Sequence, residues 1–91
     1  MTARLLAISG RVQGVGYRDW MLREAQRRGI QGWVRNRPDG SVQALLAGEA
    51  EAVRAMVAAC RRGPLFARVT RLAEDSAVAP EQPGFQRMAD G

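Results

Sequence analysis

The stretch Gly10-Arg11-Val12-Gln13-Gly14-Val15-Gly16-Tyr17-Arg18 joins two segments with different hydrophobic patterns. Residues 4–9 before it are rich in Leu and Ile, which favours a buried strand. Residues Asp19 to Arg28 after it place Met21, Leu22 and Ala25 on one face, as an amphipathic helix does. A glycine-punctuated loop between a strand and a helix predicts that the chain opens with a strand–loop–helix unit.

The rest of the chain continues this alternation. The patterns predict strands at 30–36, 41–47 and 67–72, a turn at 37–40, a helix at 49–62, a loop at 73–83 and a short last strand at 84–88. The order β-α-β-β-α-β is typical of an α+β, ferredoxin-like sandwich, with one antiparallel sheet and two helices on one face. We expect residues 1–91 to form a single domain.

The composition excludes several kinds of chemistry. All 14 basic residues are Arg, His is absent, and the formal net charge is +5. A chain without His or Lys has no imidazole base, no Schiff-base lysine and no phosphate-loop lysine. The single Cys60 excludes an internal disulfide and a cysteine-ligated zinc. No apolar stretch approaches a membrane span, and a lone cysteine suits a reducing, cytoplasmic compartment.

The segment before the first helix has the features of an anion cradle. Successive backbone N–H groups there can converge on one point, and the helix dipole adds partial positive charge. Gly14 and Gly16 let the backbone approach a ligand without a Cβ. The guanidinium of Arg18 can fold over the same point and grip two oxygens at once. The alternative is a glycine-rich turn that binds nothing, since neither the phosphate-loop nor the dinucleotide motif is present.

Asn36 is the second candidate, because it ends a strand just before the turn at residues 37–40. In a ferredoxin-like sheet, the strand after the first helix can lie close to the first strand. An amide placed there could orient a water molecule or contact a substrate. The alternative is that Asn36 only satisfies local backbone groups, as Asn before a turn commonly does.

Taken together, the two segments resemble the acylphosphatase family. The first is Gly10–Arg18, and the second is Gly32-Trp33-Val34-Arg35-Asn36-Arg37-Pro38-Asp39-Gly40. The resemblance runs from about residue 5 to 72, with both motifs in order and at the family's spacing. It implies hydrolysis of the carboxyl-phosphate bond of acyl phosphates to a carboxylate and inorganic phosphate, without a metal ion or an organic cofactor.

The resemblance also assigns roles to residues. It implies that Arg18 and Asn36 are catalytic, Arg18 by binding phosphate and Asn36 by positioning water. The backbone that holds the phosphate would be that of Gln13, Gly14, Val15, Gly16 and Tyr17. A small acyl phosphate is then the substrate, inorganic phosphate or another anion is a product or inhibitor, and a monomer is expected.

The chain also departs from the family pattern. Arg37 stands where many members carry Thr, which adds a charge near the site. Ser41 has a hydroxyl that would brace Asn36, and a simple turn role is the alternative. Residues 73–91 match only in part, since family members often end with an aromatic strand.

A basic ferredoxin-like domain is also the shape of an RNA- or DNA-binding module, and a net charge of +5 favours polyanions. The third predicted strand lacks the aromatic residues that stack bases, so nucleic acid is not the expected partner. Trp20 and Trp33 are interpreted as packing residues. Cys60, on the apolar face of the second helix, is interpreted as a core residue and not as a nucleophile.

Overall fold

Five strands and two helices alternate along the chain in a computed structural model that describes residues 1–91. The elements are β1 (Thr2–Arg11), α1 (Tyr17–Arg28), β2 (Gln31–Asn36), β3 (Val42–Gly48), α2 (Ala50–Arg62), β4 (Arg68–Ser76) and β5 (Phe85–Arg87). The predicted order of strands and helices is confirmed, including the short last strand.

The strands form one sheet in the order β4-β1-β3-β2-β5. β1, β2, β3 and β4 pair antiparallel, as predicted, whereas β5 lies parallel to β2. The two helices contact each other as well as the sheet, so both cover the same face. This is the ferredoxin-like sandwich that the alternation predicts, extended by one parallel edge strand.

The core lies between the sheet and the helices. Alternate residues of β1 and β3 point into it, among them Leu6, Ile8, Ala44 and Leu46, which are all fully buried. An apolar stripe of α2, at the helical spacing i, i+3, i+4 and i+7, faces them and is buried as well, at Val53, Met56, Val57 and Cys60. In these three elements the hydrophobic periodicity therefore identifies the inner face correctly.

Three elements extend beyond their predicted bounds by two residues or more, and the first is β1, which runs from Thr2 to Arg11 instead of 4–9. α1 begins at Tyr17 instead of Asp19, because Gly16 takes a left-handed conformation and the buried Tyr17 already belongs to the first turn. β4 continues to Ser76, beyond the predicted end at Leu72. Its added residues pair with β1, where Arg4 lies opposite Ser76, so sheet hydrogen bonding extends the strand despite its mixed polarity.

Candidate active site

The backbone between β1 and α1 forms a concave loop rich in unpaired donors. Gly14 and Gly16 have φ angles of 75° and 80°, whereas the residues around them have negative φ. Such an alternation turns successive N–H groups toward one point, which is how anion-binding nests are built. None of the backbone N–H groups of residues 13–16 has an acceptor within the chain. No side chain caps α1, so the donors of its first turn add to this set.

Arg18 lies in the first turn of α1, directly beside this loop. Its side chain is 20% exposed, and its Nη1 donates to the Asp90 carboxylate at 2.8 Å. The other guanidinium nitrogens of Arg18 have no acceptor in the chain. Part of the guanidinium fork therefore remains available for a second anion.

Asn36 ends β2 and is only 9% exposed, yet its Oδ1 has no hydrogen-bond donor in the chain. An unpaired buried acceptor costs about 1–3 kcal/mol, so such groups are uncommon away from functional sites. The local-turn alternative would require Asn36 to satisfy backbone groups, and no side-chain hydrogen bond of this residue is present. The amide of Asn36 thus has no structural partner within the chain.

The loop, Arg18 and Asn36 line one cavity of about 250 Å³. Drug-sized ligands occupy pockets of roughly 300–1,000 Å³, so this space suits a smaller molecule. The expectation that β2 lies close to β1 is wrong in detail, because β3 separates these strands. The two candidates nevertheless meet, since β1 and β2 both end beside the start of β3.

Two charged residues of the cavity wall are missed by sequence reasoning. Asp19 and Arg87 both line the cavity and form an ion pair with each other. Helical spacing instead predicts a pair between Asp19 and Arg23, and that pair does not form. Arg87 comes from β5, which lies outside both sequence motifs, so no motif indicates it.

The β2–β3 turn is held to the loop by one side chain. The Gln13 Nε2 donates to the carbonyl oxygens of Arg37 and Ser41, each at 2.9 Å. The Ser41 hydroxyl does not contact Asn36 but donates to Asp39 at 2.6 Å, which is the turn alternative. Hydrogen bonds from this hydroxyl and from the Ser41 backbone lower the pKa of Asp39. The Arg37 guanidinium donates to the Gly91 carbonyl and is not part of the cavity wall.

Tyr17 and Cys60 have structural roles beneath the loop. The Tyr17 hydroxyl donates to the Cys60 carbonyl, which ties the start of α1 to α2. Burial raises the pKa of Tyr17 far above its usual range and that of the Cys60 thiol to about 12. A thiol that is protonated at neutral pH is a poor nucleophile, which supports the interpretation of Cys60 as a core residue.

A larger cavity, of about 530 Å³, lies between α2 and the strands β1 and β4. Its Arg4 and Arg61 are both bonded to the carboxylate of Glu74, at 3.1 and 3.5 Å. These cations already have an internal counter-ion, unlike the N–H groups of the loop beside α1.

No cluster of three or more His, Cys, Asp or Glu side chains is placed to hold a metal ion.

Comparisons with a family model, with related sequences and with solved structures all match acylphosphatases. The family model described as Acylphosphatase matches residues 5–87. The chain is 54% identical to an acylphosphatase of Acidiphilium cryptum over 91 residues, all of both chains. It is 52% identical to one of Rhodospirillum rubrum over 87 residues, 96% of each chain. Among solved structures, acylphosphatase from Bacillus subtilis superposes with a TM-score of 0.91 at 35% identity, covering 97% of this chain and 99% of that one.

Proposed function

The chain belongs to the acylphosphatase family, whose enzymes hydrolyse acyl phosphates, and we propose how its cavity performs that reaction. In this proposal Arg18 and the backbone N–H groups of residues 13–17 hold the phosphoryl group. Asn36 orients the attacking water molecule, and no metal ion takes part.

The unpartnered side-chain amide of Asn36 is the observation that carries the proposal. It lines the same cavity as Arg18 and the unbonded N–H groups. The Oδ1 itself is closed to solvent, so the amide holds the water molecule through its Nδ2, which has no acceptor in the chain and can donate a hydrogen bond to the water oxygen. The same hydrogen bond directs the water oxygen toward a phosphorus atom held by the opposite wall.

The chemistry suits these groups. The water oxygen forms a bond to phosphorus while the bond from phosphorus to the acyl oxygen breaks, and the electron pair leaves with the carboxylate. The leaving group is a stable anion, so no strong general acid is needed. The water proton passes to an oxygen of the substrate's own phosphate, so the reaction needs no histidine.

Charge stabilisation is the main contribution of the protein. The transition state of phosphoryl transfer is loose, and its negative charge is spread over the equatorial oxygens. The Arg18 guanidinium and the preorganised N–H groups neutralise that charge without rearranging during the reaction. Arg18 thereby supplies the positive charge that a magnesium ion supplies in many other phosphoryl-transfer enzymes.

The site of attack is tested by running the reaction in water labelled with heavy oxygen. Benzoyl phosphate is hydrolysed in the presence of EDTA, and both products are analysed by mass spectrometry. The proposal predicts that the label enters inorganic phosphate. Label in benzoate would show attack at the carbonyl carbon and would contradict the role given to Asn36. A reaction without enzyme corrects for spontaneous hydrolysis.

The substrate is a small acyl phosphate, and inorganic phosphate is the product that competes for the same cradle. We propose that the chain acts as a monomer of one domain, since a single cluster of 16 buried residues joins the sheet to both helices. We place it in the cytoplasm because a lone free cysteine suits a reducing compartment. Neither helix combines the length and the hydropathy that a bilayer crossing needs.

A further inference from the structure

The sheet joins the two halves of the site only through β3, whose Val42 pairs with Ile8 on one side and with Asn36 on the other. The loop at residues 12–16 follows β1, whereas Asn36 ends β2, and β3 lies between these strands. No ladder hydrogen bond therefore connects β1 to β2. The loop after β1 and the turn after β2 lie beyond these pairs, so another contact must fix the phosphate cradle relative to the turn that follows Asn36.

The side chain of Gln13 makes that contact. Its single Nε2 atom donates to two carbonyl oxygens, those of Arg37 and Ser41, both at 2.9 Å. Both N–H groups of the amide therefore form hydrogen bonds of normal length. Gln13 is also one of the residues whose backbone N–H faces the cradle without an acceptor.

The two carbonyls that Gln13 contacts belong to the base of the β2–β3 turn. The Arg37 N–H donates to the Ser41 carbonyl at 2.9 Å, so these two residues are already hydrogen bonded to each other. The Gln13 amide binds the carbonyl oxygens of both. Arg37 directly follows Asn36 in the chain. The hydrogen bonds of Gln13 therefore act one residue away from the amide that is proposed to hold water.

We propose that the side chain of Gln13 is a positioning residue, which sets Asn36 at the correct distance and angle from the phosphate cradle. The inference rests on the proposed function. That function uses only the backbone N–H of Gln13, and the inference adds a role for its side chain. Loss of this link leaves the N–H groups and Arg18 in place to hold phosphate. It allows the turn and Asn36 to shift relative to the phosphorus atom.

The first test uses Gln13→Met and Gln13→Leu, which keep an uncharged side chain of similar bulk but remove its N–H donors. We expect kcat for benzoyl phosphate to fall by about 10- to 100-fold, because small misplacements of a reacting group cost rates of that order. Inhibition by inorganic phosphate should change by no more than about twofold, the size of a binding change well below 1 kcal/mol.

Gln43→Met provides the matched control. Gln43 lies on β3 in the same hairpin and accepts a hydrogen bond from Arg35 at 2.8 Å, outside the cavity. This control should keep the kcat of the wild type. Unchanged kcat in both Gln13 variants would overturn the inference, and so would a loss of phosphate inhibition with kcat preserved.

The second test asks whether Gln13 acts through Asn36. In a double-mutant cycle, Gln13→Met should have little further effect on kcat once Asn36 is changed to Ala. Equal losses in both backgrounds would show that Gln13 acts independently of Asn36 and would overturn the inference. That result leaves the proposed function intact, whereas a wild-type protein without activity would refute the function itself. Melting temperatures of all variants separate loss of positioning from loss of fold.

Discussion

At the scale of single residues, Arg18 already holds one carboxylate, because its Nη1 donates to Asp90 at 2.8 Å. The Asp90 side chain is 68% exposed. Its negative charge lies beside the guanidinium that is proposed to bind the negatively charged phosphoryl group. Asp90 therefore competes with the substrate for the same guanidinium.

Removing this charge should favour substrate binding. We predict that Asp90→Asn lowers the KM for benzoyl phosphate and the inhibition constant of phosphate by about two- to fivefold, since exposed ion pairs contribute about 0–1 kcal/mol. The difference should shrink in high salt, which screens exposed charges. Steady-state kinetics at low and high ionic strength measure both effects.

Asp75→Asn is the control, because Asp75 is also an exposed carboxylate but lies on β4, at the opposite edge of the sheet. It should leave KM unchanged. A rise in KM for Asp90→Asn would mean that Asp90 holds Arg18 in place and does not compete with substrate.

The residues that could be predicted are those that belong to a local pattern. Arg18 and Asn36 lie in two short motifs, and the structure brings both to one cavity. Arg87 and Asp19 could not be predicted as a pair, because they come from opposite ends of the chain and meet only through the parallel pairing of β5 with β2.

At the scale of elements, the close packing of β2 against β3 depends on Gly32. Its φ is 136°, and a Cβ at this position would lie 1.8 Å from the carbonyl oxygen of Leu45. The backbone of β3 would have to move away, which would break the pairing that places Asn36 at the end of β2. Only glycine fits this approach.

Gly32→Ala should therefore destabilise the fold strongly, by at least about 2–4 kcal/mol, the range typical of backbone strain and overpacking. Gly48→Ala is the matched control in β3, since its Cβ would meet Ile30 Cδ1 at an ordinary 3.5 Å. The control should change stability by less than about 1 kcal/mol. Urea unfolding followed by circular dichroism measures both. A Gly32→Ala protein as stable as the wild type would contradict the register of β2 with β3.

Elements with a regular apolar period could be predicted well, as the buried stripe of α2 shows. The end of β4 could not, because its residues from 73 to 76 are held by pairing with β1 and not by an apolar pattern of their own. The parallel addition of β5 is likewise a tertiary contact. Hydrophobic periodicity records which face is buried and carries no signal for the order of strands.

At the scale of the whole molecule, the net charge of +5 is spread over the surface and partly paired. β3 carries no aromatic residue, and Trp20 packs edge to face on the buried Tyr17, with ring centroids 5.3 Å apart. These features do not favour a base-stacking surface. The absence of His and Lys is compatible with a reaction that uses one guanidinium, one amide and backbone N–H groups.

The central claim is that Arg18 and Asn36 together hydrolyse acyl phosphates without a metal ion. The most direct measurement is kcat/KM for benzoyl phosphate, with and without EDTA, for the wild type, Arg18→Gln, Asn36→Ala and the surface control Arg23→Gln. Wild type and control should hydrolyse the substrate equally fast in both conditions. Arg18→Gln and Asn36→Ala should lose at least about 10²-fold, the usual cost of removing one group that stabilises a transition state. An inactive wild type, or an Arg18→Gln protein with wild-type kcat/KM, would contradict the account.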